Sequence, residues 1–480
     1  RKAVLLLVAS SVVLVRYYFA VGNFNWAGDA PQHIVTAHMA ALSIEHGELP
    51  IWTFFIGNGS PYLQHYGFLF PYLVGFANLL IDDLSGSMKV VLAIGHLLSG
   101  VGMYLLVNRL CHSRRAGFVA GLGYVLCFWH LQQVLIMGRT PLGLYYGFLP
   151  WAFYFFEESL CAGRRIGAAL LGGVSVALLS FTHPAYGFYT FILLLIYAGV
   201  RLLLSRHDAG VRAMIGASLL YMVCALLFGA YINVGMWVES AFTNMSNFDF
   251  GLKDVTGPEH ALPGPTWLHL LGWSNYRFWL IPLQEHHWYG GYLGLSLIGL
   301  AAVGCFGLRL VRRTVRFRRY LPGFAMLFFV SLILVAYSWP PLDSVHLIQV
   351  FNRSRYLLFV AFFLSLSAGV GCHLLLLRSG KFQRSRCYTI IILILLMDLG
   401  STTFQQPYGK KLSLFFPQVA SFSEEHTGVA QGSLVPNFRA QWITDGRHSS
   451  FAIARMIIDG KTPVPEVYHP GELPASAVLT

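Results

Sequence analysis

Apolar runs of about 20 residues recur along this 480-residue chain, and they limit its possible folds more than any other feature. A helix rises about 1.5 Å per residue, so such a run crosses the roughly 30 Å hydrocarbon core of a bilayer. Only 11% of the residues are charged, whereas a soluble protein carries about twice that fraction. A transmembrane β-barrel would have short segments of alternating polarity instead. The sequence therefore predicts an all-α polytopic membrane protein.

The basic residues lie in short loops between the apolar runs, and these loops predict the topology. A net charge of +12 could indicate a nucleic-acid partner in a soluble protein, but in a membrane protein Lys and Arg mark the cytoplasmic loops. We therefore predict no nucleic-acid binding. Placing every strongly basic loop on one side gives about eleven spans, with the N-terminus cytoplasmic and the C-terminus outside.

The spans divide the chain into a transmembrane domain, 1–404, and an outer-side tail or start of a small soluble domain, 405–480. Long outer loops are predicted at 23–87 and 234–288. The run Phe68 to Ile81 is short for a span and is predicted to be re-entrant or interfacial. The predicted spans are 3–22, 88–110, 116–128, 141–156, 166–181, 184–204, 213–233, 289–308, 320–337, 356–377 and 388–404.

The first outer loop places a carboxylate and an imidazole just outside the first span. Asp29 can cap a helix that runs to about His46, and an Asp at a helix start is usually a cap. A wide apolar stripe along that helix predicts that it lies in the membrane interface. His33 follows Asp29 by four residues, so the two share a helix face. Asp29 is open to two interpretations, a helix cap and a catalytic base.

Three arginines are predicted at the outer headgroup level, where a lipid phosphate would need cationic partners. They are Arg139, Arg353 and Arg355, and each could also be an ordinary interfacial arginine. Arg139 departs most from that second interpretation, because Gly138 and Pro141 flank it in an otherwise apolar outer turn.

Further candidates lie at the ends of other spans. His183 joins two spans and either satisfies a carbonyl freed by Pro184 or belongs to a site. Glu239 lies where a span leaves the membrane, and acids at membrane depth are functional candidates. His65 of the first outer loop is also a candidate. Asp398, inside the last span, is predicted to pair with a neighbour.

Short motifs in the first outer loop resemble those of YfhO-type bacterial membrane proteins and of the proteins called pyruvoyl-tetrahydropterin-synthase-related. Both groups look like members of the GT-C class of membrane glycosyltransferases. The motifs lie at 28–33, 47–52, 57–61 and 66–72, and further matches follow at 138–141, 182–184, 233–239 and 353–356. The resemblance covers residues 3–404 and implies a GT-C-like helical bundle in a bacterial cytoplasmic (inner) membrane.

The resemblance also implies a reaction. Asp29 would deprotonate an acceptor hydroxyl, with His33 assisting, while Arg139, Arg353 and Arg355 would hold the phosphate of a polyprenyl-phosphate sugar donor. The acceptor would be an envelope glycan, lipid or protein outside the membrane. The chain contains no GxxxxGKS or GxGxxG loop for a nucleotide, which agrees with a lipid-linked donor.

No cofactor is predicted, and no protein partner can be named. A divalent metal held by the acidic pair at 82–83 is possible but not favoured, because these residues are more suited to turning the chain. The seven cysteines are odd in number and form no CxxC, so neither a disulfide framework nor a cysteine zinc site is predicted. The alternative function is a non-catalytic scaffold, or a lipid or polymer transport component, of an envelope complex.

Overall fold

A computed structural model describes most of the first 400 residues and one short strand beyond them. The described residues exclude Asp29 and His65. They also exclude most of the predicted loop 234–288 and nearly all of the tail 405–480. The structure describes residues 2–14, 23–25, 30–53, 60–61, 67–131, 133–134, 138–161, 163–206, 210–242, 270–271, 292–311, 315–336, 353–400 and 409–411.

The described residues are almost all helical. The helices are α1 (Lys2–Leu14), α2 (Ala30–Glu45), α3 (Leu69–Ile81), α4 (Leu84–Cys111), α5 (Arg114–Leu126), α6 (Phe128–Leu131), α7 (Thr140–Ser159), α8 (Arg165–Thr182), α9 (Pro184–Leu204), α10 (Val211–Phe242), α11 (Leu295–Val311), α12 (Val315–Ala336), a 3-10 helix (Arg353–Tyr356), α13 (Leu357–Arg378) and α14 (Lys381–Leu399). Strand β1 (Asn23–Asn25) pairs antiparallel with β4 (Gly409–Lys411), and β2 (Trp52–Thr53) pairs with β3 (Ser60–Pro61).

The predicted helical membrane protein is confirmed, since every predicted span overlaps one of these helices. Within the described residues, five helices are long and apolar enough to cross a membrane by length and composition, namely α4, α8, α9, α10 and α13. The total of eleven crossings remains a prediction. Helix α10 continues to Phe242, so its last turns fall within the predicted outer loop 234–288.

Helix α13 is the centre of the bundle, and it is buried along almost its whole length. It packs against α5, α11 and α12. The contact with α11 is very close, because a Cβ added at Gly371 would lie 1.9 Å from the carbonyl oxygen of Leu300. Small residues let membrane helices approach in this way, so Gly371 sets the distance between α11 and α13.

Replacing Gly371 with alanine should destabilise the protein by about 3 kcal/mol, because the new methyl group meets a backbone atom that cannot rotate away. Thermal unfolding in detergent would measure the loss. Gly299→Ala on α11 is the matched control, since a Cβ there meets nothing within 4 Å and alanine favours the helix. Equal melting temperatures for the two variants would contradict this account of the contact.

The loops predicted to be cytoplasmic meet at one end of the bundle, which we call the basic end. Glu158, at the end of α7, forms an ion pair with Arg109, whose Nε lies 2.8 Å away, and accepts a hydrogen bond from Arg164 Nη1 at 3.0 Å. Arg319, near the start of α12, lies 2.7 Å from Nε2 of His112 in the turn between α4 and α5. These contacts bring the ends of α4 and α7 together with the starts of α8 and α12.

Glu157, directly after the predicted span 141–156, and Asp398, inside the last predicted span, both have partners, as their cost at membrane depth requires. Glu157 accepts a hydrogen bond of 3.0 Å from the Tyr197 hydroxyl. Asp398, predicted to pair with a neighbour, accepts one of 2.7 Å from the Ser296 amide and another from the Tyr292 hydroxyl. Asp398 therefore caps α11 from a different helix.

The acidic pair at 82–83 turns the chain between α3 and α4, as favoured from the sequence. Asp82 ends α3 in the left-handed region, with φ 51°. Asp83 begins α4, and its carboxylate accepts from the amides of Ser85 at 3.2 Å and Gly86 at 2.9 Å. Both acids thus have local structural roles.

Helix α2 forms almost where it was predicted, ending at Glu45, but its surroundings differ from the prediction. Its apolar stripe and most of its remaining surface are buried, with Ala37 and Ala40 fully so. It packs against α3, α4 and α7. The helix is therefore a buried part of the protein fold, whereas an interfacial helix would leave one face free.

Candidate active site

Three long helices begin at the end of the bundle opposite to the basic end, and we call this the site end. Helix α7 begins after Arg139, α9 begins after His183, and α13 follows the 3-10 helix Arg353–Tyr356. Neither Arg139 nor His183 caps its helix through the side chain. The first amides of a helix have no partner within it, and the helix dipole makes such an end attractive to anions.

His183 lies close to three other residues that were predicted separately from the sequence. Its imidazole is close enough to Arg355, His33 and Arg139 for the charge of each to act on it. These residues come from four segments, namely the α8–α9 junction, the 3-10 helix, α2 and the turn before α7. His33 is buried, with 4% of its surface exposed, while Arg139 and Arg355 are half-buried.

Gln133 fixes the position of Arg139. The side-chain oxygen of Gln133 accepts from Arg139 Nη1 at 2.8 Å, and its carbonyl accepts from the Arg139 amide at 3.0 Å. Gln133 is itself buried, with 1% exposed. Because guanidinium carries five donors, it can keep this hydrogen bond and still contact an anion. Sequence reasoning missed Gln133, whose only signal is a polar residue beside an apolar run.

The end of the first outer loop reaches the same place. The ring of Phe68 lies 5.0 Å from that of Phe181. Gly67 is so close to the end of α8 that an added Cβ would lie 1.8 Å from the Thr182 carbonyl oxygen. The loop that contains Asp29 and His65 thus returns to the residues next to His183.

Tyrosines line α9 below His183 and were not predicted. Tyr186 packs edge-on against His183, with ring centroids 4.7 Å apart, and its carbonyl accepts from the Tyr145 hydroxyl at 2.8 Å. Tyr189 forms a hydrogen bond with Tyr356, and it is close enough to Arg355 for the charge of that guanidinium to act on it. These contacts hold α7, α9 and the 3-10 helix together beneath the arginines.

The other predicted site residues are placed less fully. Asp29 lies outside the described residues, directly before the first residue of α2, and His65 also lies outside them. Arg353 begins the 3-10 helix and Glu239 lies in the last turns of α10, but neither side chain is described. Among the residues that the structure describes, no three His, Cys, Asp or Glu side chains form a group that could hold a metal ion.

The site end therefore combines two half-buried guanidiniums, two imidazoles and the amide ends of long helices. Such a set favours an anion with several oxygens, since Arg pairs with phosphate through two hydrogen bonds. Helix N-termini bind phosphate for the same electrostatic reason. Groups held by packed helices need little rearrangement when negative charge develops on a leaving group.

The pKa of His183 makes the stability of this site sensitive to acid. Burial, followed by the positive charges of Arg355, His33 and Arg139, lowers the pKa of His183 well below 6.5. As the pH falls below 6.5, the unfolded chain takes up a proton here and the folded chain does not, so the free energy of unfolding decreases. His183→Gln should remove this part of the acid sensitivity, by up to about 1.4 kcal/mol per pH unit. Unfolding measured at about pH 7.5 and 5.5 for both proteins checks this; the same loss in both would contradict it.

The chain matches no protein-family model and none of the curated proteins. Solved structures do match. Archaeal oligosaccharyltransferase AglB from Archaeoglobus fulgidus, in complex with an inhibitory peptide and a dolichol-phosphate, is 13% identical with a TM-score of 0.55, over 97% of this chain and 64% of that chain.

Two further matches come from bacteria. Mycobacterial arabinofuranosyltransferase AftD is 15% identical with a TM-score of 0.55, over 97% of this chain and 31% of that chain. ArnT from Cupriavidus metallidurans, bound to undecaprenyl phosphate, is 13% identical with a TM-score of 0.52, over 96% of this chain and 85% of that chain. The chain therefore spans less than two thirds of AglB and about a third of AftD.

These likenesses define the class of fold. The chain shares its helical membrane fold with these proteins, which is the GT-C-like fold that the resemblance of its first outer loop implied. Its sequence has diverged so far that the likeness fixes the fold alone. The narrower resemblance to YfhO-type proteins stays a prediction.

Proposed function

We propose that this protein is an integral membrane glycosyltransferase that moves a sugar from a polyprenyl-phosphate-linked donor to an envelope acceptor on the outer side. The observation that carries the proposal is the convergence of Arg355, Arg139 and His33 on His183. This positive cluster lies beside helix starts, where a lipid phosphate would be stabilised.

The proposed step is a single displacement. Asp29 takes the proton of the acceptor hydroxyl as its oxygen attacks the anomeric carbon. The bond between that carbon and the phosphate oxygen breaks, and the polyprenyl phosphate leaves with the electron pair. Arg139, Arg353 and Arg355 stabilise the negative charge on the leaving phosphate. His33 assists Asp29, and His183, whose pKa is lowered chiefly by burial, remains neutral near Arg139 and Arg355.

The neighbours support the donor class in the proposal. One is described with a dolichol-phosphate and another with undecaprenyl phosphate. Both ligands join a phosphate to a long polyprenyl chain, which suits an anion site at the end of a helical bundle in a membrane. The acceptor is assigned only as an envelope glycan, lipid or protein.

The direct test is sugar transfer by the purified protein in liposomes. A panel of polyprenyl-phosphate monosaccharides would be offered with an envelope extract, and release of polyprenyl phosphate would be measured. We expect release with at least one donor, and transfer that persists in EDTA. Intact, well-folded protein that releases no polyprenyl phosphate from any donor would contradict the proposal.

The proposal requires the site end to face outward. A cysteine placed at Ser60, in a background without the native cysteines, should react with an impermeant maleimide in intact cells. Gly380→Cys is the matched control, because Gly380 is exposed between α13 and α14 near the basic end and should react only after lysis. The opposite labelling pattern would reverse the orientation and contradict the outward-facing site.

A further inference from the structure

A cavity of 670 Å³ opens at the basic end, far from the candidate active site. It lies between the last turns of α7 and the first turns of α8. Tyr154, Phe155 and Glu158 line one side, and residues 163–168 with Leu171 line the other. The proposed transfer reaction uses none of these residues.

The first turn of α8 supplies backbone donors to this cavity. Arg164 precedes the helix and makes no capping hydrogen bond through its side chain. The amides of Arg165, Ile166 and Gly167 are the first of α8, and such amides have no acceptor within their own helix. A Cβ added at Gly163 or Gly167 would meet nothing within 4 Å, so the space over these amides is open.

The charge around the cavity is positive. One carboxylate, that of Glu158, is shared by Arg109 at 2.8 Å and Arg164 at 3.0 Å. Arg165 adds a third guanidinium, and its Nε atom is buried with no hydrogen-bond partner. The Arg164 side chain is 73% exposed and can turn toward a second anion. Three cations therefore face a single acid beside a helix N-terminus, a combination that attracts phosphate.

The surface that leads away from these cations is apolar. Ile166, Leu170 and Val174 follow one another at four-residue intervals along α8, and they are 68%, 44% and 40% exposed. Leu171, at the cavity wall, is 52% exposed. A helix of this length and composition can cross a membrane, so this stripe is suited to acyl chains. A free phosphate would use the cations and leave the stripe unused.

We propose that this cavity binds the head group of an anionic phospholipid from the leaflet at the basic end. The phosphate lies against the first amides of α8 and the guanidinium of Arg165, and the acyl chains run along Ile166 and Leu170. Such a lipid would hold the α7–α8 turn at a fixed depth in the membrane. This inference does not depend on the proposed sugar transfer.

The test compares lipid retention by native mass spectrometry of the full chain. Phosphatidylglycerol, phosphatidylcholine and inorganic phosphate would each be added to delipidated protein in detergent. We expect phosphatidylglycerol to be retained, and Arg165→Ala to weaken its retention by about tenfold, as the loss of one charge-assisted contact would. Arg212→Ala, which removes an exposed charge outside the cavity, should retain the lipid.

A second variant tests whether the lipid occupies the open volume over the first amides of α8, and it leaves the charge of the cavity unchanged. Gly167→Leu fills the open volume over the first amides, and it should also reduce retention, while its melting temperature without lipid stays unchanged. Equal retention of phosphatidylcholine, or equal losses in Arg165→Ala and Arg212→Ala, would overturn the proposal. Tight binding of inorganic phosphate with no preference for phosphatidylglycerol would reassign the cavity as a simple anion site and overturn it too.

Discussion

Asp29→Asn should lower the rate of sugar transfer by about 10²–10⁴-fold, because an amide cannot accept the proton of the acceptor hydroxyl. The loss should appear in kcat and leave the KM for the lipid donor nearly unchanged, since Asp29 acts on the acceptor side of the reaction. Release of polyprenyl phosphate from liposomes containing each variant would measure both constants.

The Asp29→Asn variant also distinguishes the two possible roles of Asp29, which are helix cap and catalytic base. Asparagine caps helices about as well as aspartate, so α2 should keep its stability while transfer is lost. Asp83→Asn is the matched control, because Asp83 caps α4 through the amides of Ser85 and Gly86 and has no part in the proposed reaction. A variant Asp29→Asn that retains most of its transfer, or equal losses in both variants, would show that Asp29 is only a cap.

The second large effect is expected at Arg355. Arg355→Ala should lower kcat by about 10²–10³-fold, since it removes a preorganised donor from the phosphate that becomes the leaving group. Direct binding of undecaprenyl phosphate should weaken as well, because product and leaving group are the same molecule. The kcat of Arg355→Lys should lie between those of the unchanged protein and Arg355→Ala, since lysine keeps the positive charge but cannot make two parallel hydrogen bonds to phosphate.

Arg378→Ala provides the comparison for Arg355, since Arg378 is exposed at the opposite end of α13. It removes the same charge at the far end of the helix that follows Arg355, away from the site end. Full transfer in this variant would show that the effect is local to the site. An Arg355→Ala protein that binds undecaprenyl phosphate normally would remove Arg355 from the phosphate site.

Several helices could be read from the sequence because their ends carry strong local signals. Helix α9 runs from Pro184 to Leu204, as predicted, since proline suits the first helical position and basic residues follow the last turns. The predicted span 116–128 ends within two residues of the end of α5, but the short helix α6 could not be read in this way. No local signal marks this turn, which carries Trp129 and His130 into the core.

Most residues of the candidate site could be predicted from the sequence, but their closeness in space could not. His183, Arg139 and Arg355 stand out because each is polar at the end of an apolar run, and the alternation of spans brings such ends to one side. Their closeness to one another depends on packing between α2, α7, α9 and α13, which local patterns do not encode. The pair Tyr189–Tyr356 was missed for that reason, because its contact joins residues far apart along the chain. Gln133 was missed because one polar residue beside an apolar run is a weak signal, although its contact with Arg139 is local.

The pairing of Asn23–Asn25 with Gly409–Lys411 imposes a rule of parity on the topology. Strands joined by backbone hydrogen bonds lie in one compartment, so the chain between them must cross the bilayer an even number of times. About eleven spans are predicted, and removing the one before Asn23 leaves ten, which satisfies the rule. Any revision of that count between the strands must therefore add or remove helices in pairs.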